Sequence, residues 1–149
     1  MNHELYMKRC FELAALGGDA VKENPKVGAV IVHEQQIIGE GYHQVYGGPH
    51  AEVNAINSVS AAHSNLLTSA TLYISLEPCF HFGKTPPCVD LILHHGIPRV
   101  VISVIDPNPL VAGKSVQKLR NAQVEVLQGI LAIEGKKLIA NFSKQFHES

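Results

Sequence analysis

Apolar residues follow two different periods along the chain, and the switch between them predicts the elements of the fold. Between Glu4 and Leu16 they recur at close to 3.6 residues, which predicts a helix that a Gly-Gly pair ends. Val27–Val32 is an unbroken, β-branched run typical of a strand buried on both faces. A turn at His33–Gln36 and a return strand at Ile37–Tyr42 complete a predicted hairpin.

The rest of the chain alternates predicted strands with predicted helices. The strands are Leu72–Leu76, Arg99–Ile105 and Val124–Leu127, the helices are His50–Val59, Cys88–His95, Lys114–Asn121 and Ile130–Phe142, and Ala61–Ser69 is a polar loop. Such alternation predicts an α/β fold with three layers, α/β/α, around a five-stranded sheet, which the initial hairpin makes mixed. In sheets of this kind a functional site lies at the carboxyl ends of strands, where helices begin.

Composition and charge narrow the class of protein. The chain has 149 residues, 46% of them apolar and 17% charged, which is typical of one compact domain. A net charge of −1 without a basic run weighs against a nucleic-acid partner. No apolar stretch approaches the roughly 18 residues of a membrane span, and the N-terminus lacks the pattern of a signal peptide. We therefore expect a cytoplasmic protein with no membrane partner.

The candidate chemistry is carried by His50-Ala51-Glu52 and by the two cysteines Cys79 and Cys88. One imidazole and two thiolates can supply three ligands to zinc, and an open fourth position is typical of a catalytic zinc rather than a structural one. Glu52 lies two residues from His50, and in the first turn of a helix both side chains can converge on the same point. A carboxylate there can move protons at the open position.

Each of these residues also has a simpler interpretation. His50 could cap a helix, Glu52 could be a solvated acid in a first turn, and Cys79 and Cys88 could be buried thiols. The three ligand candidates fall at helix starts or just after a strand. One shared metal site therefore explains these three residues and Glu52 better than four separate structural roles. Cys10 stands apart, and its helical pattern predicts a small buried hydrophobe.

The sequence around these motifs resembles the cytidine-deaminase superfamily, and more closely the riboflavin-biosynthesis pyrimidine deaminases. The similarity covers nearly the whole chain, through Asn24-Pro25, Val27–Val32, Gly41-Tyr42-His43, Gly48–Val53, Leu76–Cys88 and Asp106–Pro109. Many other members of the superfamily separate their two cysteines by only two residues. The eight residues between Cys79 and Cys88 are therefore what distinguishes this branch.

The resemblance implies a fold of the cytidine-deaminase type and one zinc ion per chain, bound by His50, Cys79 and Cys88, with Glu52 as the proton shuttle. It implies a substrate pocket that includes Asn24, His43, His81, Lys84, Asp106 and Asn108. The implied substrate is a small diaminopyrimidinone with a phosphorylated ribosylamino group. The implied reaction is a hydrolysis that replaces the C2 amine with oxygen and releases ammonia, a step of riboflavin biosynthesis.

Several alternatives stay open at this point. Asn24 and Asn108 precede prolines and Asp106 could cap a turn, so turn formation alone would explain them, and Lys84 could be a solvated loop charge. The substrate could be another base or nucleoside, such as cytosine, guanine or adenosine in tRNA. A non-catalytic zinc-binding paralogue is a further alternative, against which the retained Glu52 counts.

The two-function members of the family continue into a reductase domain. We expect residues 1–149 to form a single zinc-dependent deaminase domain with no reductase domain, and the sequence contains no dinucleotide fingerprint that would predict a nicotinamide cofactor. A separate reductase is then a candidate partner. The resemblance and the long apolar strands favour a homodimer or a larger homo-oligomer.

Overall fold

A mixed sheet of five strands forms the centre of the molecule. The computed structural model describes residues 2–17, 25–45, 48–80 and 87–138. The strands are β1 (Gly28–His33), β2 (Gln36–Tyr42), β3 (Thr71–Leu76), β4 (Arg99–Val104) and β5 (Glu125–Gln128), in the order β2-β1-β3-β4-β5. β1 is antiparallel to both β2 and β3, whereas β3, β4 and β5 run parallel. The predicted fold class is confirmed.

The helices agree closely with those predicted. They are α1 (His3–Ala15), α2 (Ala51–Ser58), α3 (Cys88–His94) and α4 (Lys114–Asn121). The final predicted helix is present over 132–138, and its remaining residues lie outside the described part of the chain. The loop predicted at Ala61–Ser69 instead contains a 3-10 helix over Ser64–Ser69, because Leu67 turns inward and is buried in the core.

Two apolar clusters cover the two faces of the sheet, as the predicted layers require. On one face, Ala29 and Ile31 of β1 pack in the cluster that includes α2, α3 and α4. On the other face, Val30 of the same strand packs with Met7 and Cys10 of α1. This alternation confirms that β1 is buried on both sides and that Cys10 is a buried small hydrophobe. No helix in the described ranges is long and apolar enough to cross a membrane.

Helix α2 lies unusually close to β2, and this contact fixes where the helix begins. A Cβ added to Gly41 would lie 2.3 Å from the backbone nitrogen of Ala55, so only glycine permits the approach. The Asn54 side chain donates a hydrogen bond to the carbonyl of Tyr42 (2.9 Å), which ties the helix to the edge strand. The start of α2 is therefore held at the end of the sheet where the candidate site lies.

Candidate metal centre

Three structural elements bring the predicted metal ligands together. His50 immediately precedes α2, Cys88 is the first residue of α3, and Cys79 follows the end of β3 by three residues. Helix N-termini carry partial positive charge, and the first N–H of α3, that of Cys88, donates to the Cys79 sulfur, which favours a thiolate at Cys79. The three ligand atoms all lie within 4.8 Å of one another.

The spacing of these atoms fits one tetrahedral zinc ion. His50 Nδ1 lies 3.2 Å from Cys88 Sγ, so the imidazole faces the thiols rather than the end of its helix. The backbone N–H of Cys88 donates to Cys79 Sγ at 3.0 Å, which aims the second sulfur at the same point. Zn–S bonds of about 2.3 Å in a tetrahedron place two sulfurs roughly 3.8 Å apart, so the cluster can close on a metal with small side-chain shifts. Its soft nitrogen and sulfur donors are those that zinc prefers.

The two thiols and the imidazole shift one another's pKa values through the hydrogen bonds they share. Hydrogen bonds from Cys88 and His50 lower the pKa of Cys79, whereas the hydrogen bond to Cys79 and burial raise the pKa of Cys88. The hydrogen bond to Cys79 raises the pKa of His50. The protein alone therefore favours one thiolate of the pair, and a bound cation supplies the charge that stabilises both.

Glu52 is a buried acid beside the three donors. Its side chain lies in the first turn of α2 and only 3% of the residue is exposed, so it is not the solvated acid of the simpler interpretation. Burial raises its pKa to about 7. A carboxyl group with a pKa near neutrality can both take and return a proton at working pH.

His43, the residue that follows β2, lies against the same cluster. Its ring meets that of His50 edge-on, with centroids 5.5 Å apart, and its Nδ1 is 3.1 Å from the carbonyl oxygen of Pro49. Burial lowers the pKa of His43. A neutral imidazole in van der Waals range of His50 is thus part of the wall of the site.

Asp106 and Asn108 form consecutive turns in the loop that follows β4. Asp106 Oδ1 accepts the N–H of Asn108 (2.9 Å), and Asn108 Oδ1 accepts the N–H of Leu110 (3.0 Å). The turn-forming interpretation of these two residues is therefore confirmed, and one oxygen of each side chain is used by it. Three further residues predicted to line the pocket, Asn24, His81 and Lys84, lie outside the described residues.

Glu77 is a functional candidate to which the sequence analysis gave no role. The residue is buried, and its carboxylate accepts four backbone N–H groups, from Asp106 (3.1 Å), Gly113 (2.9 Å), Ser115 (3.0 Å) and Val116 (3.2 Å). The sequence did contain a signal for Glu77: an acidic residue that directly follows an apolar predicted strand and directly precedes Pro78-Cys79. An acid in that position must find partners when it is buried.

The family of the chain follows from comparison with known proteins. Residues 1–104 match the family described as the cytidine and deoxycytidylate deaminase zinc-binding region, a span that contains His50, Glu52, Cys79 and Cys88. This chain belongs to that zinc-dependent deaminase family. The zinc-binding character of the family and the donor set in the structure together confirm the prediction of one zinc ion per chain.

Within the family, the chain belongs with the riboflavin-biosynthesis pyrimidine deaminases. It is 45% identical over 145 residues to the diaminohydroxyphosphoribosylamino-pyrimidine deaminase of Buchnera aphidicola (subsp. Schizaphis graminum), covering 97% of this chain and 96% of that protein. It is 50% identical over 135 residues to the riboflavin biosynthesis protein RibD of Bacillus amyloliquefaciens, covering 91% of this chain but 35% of the relative.

A solved structure of a similar protein has the same fold as this chain. The diaminohydroxyphosphoribosylaminopyrimidine deaminase/5-amino-6-(5-phosphoribosylamino)uracil reductase of Thermotoga maritima superposes with a TM-score of 0.87 at 50% identity. The match covers 96% of this chain and 42% of that one. The chain thus spans about a third of the length of the RibD relatives and nearly the whole length of the Buchnera protein.

Proposed function

We propose that this protein is a zinc-dependent hydrolytic deaminase of a diaminopyrimidinone that carries a phosphoribosylamino group, in riboflavin biosynthesis. The observation that carries the proposal is the buried Glu52 beside the three-donor cluster, because a structural zinc site has no use for a buried acid that is not itself a ligand. The substrate is taken from the name of the Buchnera relative, which the chain matches over almost its full length.

In the proposed reaction His50, Cys79 and Cys88 would hold the zinc ion, which when bound would acidify a water and stabilise negative charge on its oxygen. Glu52 accepts the proton of the attacking water as its oxygen bonds to the C2 carbon. Glu52 then gives that proton to the C2 amine, the C–N bond breaks, and ammonia leaves. The burial of Glu52 keeps bulk water from taking the proton between the two transfers.

The substrate pocket is proposed to lie beside the metal centre. Asn24, His43, His81, Lys84, Asp106 and Asn108 are proposed to line the pocket. His43 beside His50, and the turns of Asp106 and Asn108 after β4, support this because they border the cluster or the carboxyl end of the parallel strands. Lys84 and His81 are proposed to bind the phosphate or ring oxygens as donors.

We also propose that the product passes to a reductase, carried on the same chain or a separate one, since the Thermotoga relative is named for both activities. A cytoplasmic location fits the need to keep two thiolate ligands reduced. A homodimer or larger assembly remains part of the proposal, and light scattering of the purified protein would measure it.

The test is ammonia release from a panel of substrates: the phosphoribosylamino diaminopyrimidinone, its form without ribose phosphate, cytosine and guanine. The phosphorylated compound should react fastest. Glu52→Gln should keep its zinc and lose roughly 100-fold or more of the rate, as expected for a lost proton carrier. Glu125→Gln, which alters an exposed acid paired with Arg99, is the matched control and should keep full activity. Faster release from cytosine or guanine would reject the substrate, and an active Glu52→Gln would reject the role of Glu52.

A further inference from the structure

The loop between β4 and α4 is attached at both of its ends to one side chain. The N–H of Asp106 at its start and the N–H of Gly113 at its end both donate to Glu77 Oε1, at 3.1 and 2.9 Å. Glu77 Oε2 accepts the N–H groups of Ser115 and Val116 in the first turn of α4, at 3.0 and 3.2 Å. A single buried carboxylate therefore closes the loop and anchors the helix that follows it.

The same segment also carries a proposed zinc ligand. Glu77 and Cys79 are separated only by Pro78, whose carbonyl oxygen accepts a hydrogen bond from the Ser115 hydroxyl at 2.7 Å. The backbone N–H of Glu77 donates to the carbonyl of Val104 at 2.8 Å, which continues the pairing of β3 with β4. The short stretch from Glu77 to Cys79 is thus bonded through its backbone to β4 and α4, and through the Glu77 side chain to the loop between them.

We propose that Glu77 is a positioning residue, which holds the loop bearing Asp106 and Asn108 in register with the metal centre at Cys79. The inference rests on the proposed function, because it assigns that loop to the substrate. A movement of the loop relative to Cys79 would change the distance between the substrate contacts and the reacting carbon. Such misplacement costs rate or affinity even when every reacting group is present.

The chemistry of the position requires a carboxylate. Four N–H donors converge on two oxygens, and each oxygen accepts two of them. Glutamine would keep one oxygen and replace the other with an NH2 group, which donates and would face two N–H donors. Glu77→Gln is therefore nearly unchanged in volume but removes half of the acceptors.

The experiment measures amide hydrogen exchange, metal content and steady-state kinetics on the zinc-loaded protein. In Glu77→Gln the amides of Asp106, Gly113, Ser115 and Val116 should exchange roughly tenfold faster or more, while amides of the β1–β2 hairpin keep their rates. Zinc content should stay at one per chain, and KM should rise by a larger factor than kcat falls. Glu125→Gln, at an exposed acid, should match the unsubstituted protein in all three measurements.

If Glu77 only stabilised the fold, Glu77→Gln would lower the thermal midpoint but leave KM unchanged in the folded protein, and that result would overturn the proposal. Unchanged exchange at the four amides would overturn it as well. If Glu77→Gln does not fold, Glu77→Asp replaces it, since aspartate keeps both acceptor oxygens but is one methylene too short to reach all four N–H groups. It should speed exchange at Gly113 and Val116 and raise KM to a smaller extent, and unchanged values would overturn the proposal equally. If the unsubstituted protein releases no ammonia, the proposed function fails, but the exchange rates still decide whether Glu77 holds the loop.

Discussion

Lys118 of α4 contacts one residue near each of the two cysteines. Its Nζ lies 5.7 Å from the ring centroid of Phe80, the residue after Cys79, and it forms an ion pair with Asp90, two residues after Cys88. Lys118 therefore helps to hold together the two ends of the chain that must bring their thiolates to one metal. The perturbation is Lys118→Met, which keeps most of the apolar stem and removes the charge.

The free energy that Lys118 contributes is set by how far its contacts are exposed to solvent. The Lys118 and Asp90 side chains are 40% and 33% exposed, so solvent screens the ion pair and we assign it about 0.5 to 1 kcal/mol. The contact with Phe80 is near the outer limit for a cation over a ring and adds about 0.5 kcal/mol. The total of about 1 to 1.5 kcal/mol corresponds, if all of it is expressed in metal binding, to a roughly tenfold weaker zinc affinity.

The assay is competition for zinc with a chelator, run beside urea unfolding of the metal-loaded protein. We expect Lys118→Met to weaken zinc binding by about 3- to 10-fold and to lower the free energy of unfolding by about 1 kcal/mol. Arg99→Met is the matched control, because Arg99 forms a comparable exposed pair with Glu125 at the opposite end of the sheet. It should lower stability by up to about 1 kcal/mol and leave zinc affinity unchanged. A Lys118→Met protein with unchanged zinc affinity would refute the reasoning.

Three other outcomes are expected. Gly41→Ala should lower the free energy of unfolding in urea by about 2 to 3 kcal/mol, since its Cβ meets the α2 backbone, and a loss below about 0.5 kcal/mol would contradict the close packing. In chelator-treated protein a thiol reagent should modify Cys79 well before Cys10. Cys10 is fully buried, and burial raises the pKa of its thiol. Equal labelling of the two cysteines by mass spectrometry would contradict this. Zinc removal should lower the thermal midpoint by several degrees in a calorimeter, because binding to the folded state alone stabilises it, and an unchanged midpoint would exclude a preformed site.

The sequence was sufficient for the parts of the fold that local patterns determine. Val27–Val32 could be assigned to a doubly buried strand because each of its side chains is apolar, and β1 indeed packs into both clusters. His50, Cys79 and Cys88 could be grouped because strand ends and helix starts meet at one edge of such a sheet. The 3-10 helix at Ser64–Ser69 was not predictable in this way, because only the burial of Leu67 by distant residues organises a polar stretch.

Glu77 shows why the site was only partly predictable. Its partners are backbone N–H groups, and these carry no side-chain identity that a sequence pattern could reveal. They also lie some thirty to forty residues away along the chain and meet Glu77 only because β3 and β4 are parallel neighbours. The turns of Asp106 and Asn108 were open to prediction, since both residue types accept hydrogen bonds from amides two positions ahead.

The central claim is a hydrolysis in which the oxygen of water replaces the amine at C2. The most direct measurement is turnover of the phosphoribosylamino diaminopyrimidinone in ¹⁸O-labelled water, with ammonia counted and the product analysed by mass spectrometry. The account predicts one ammonia released and one ¹⁸O incorporated at C2 for each turnover of the zinc-loaded protein, and neither at a comparable rate with Glu52→Gln. Turnover that releases no ammonia, or a product without the label at that carbon, would contradict it.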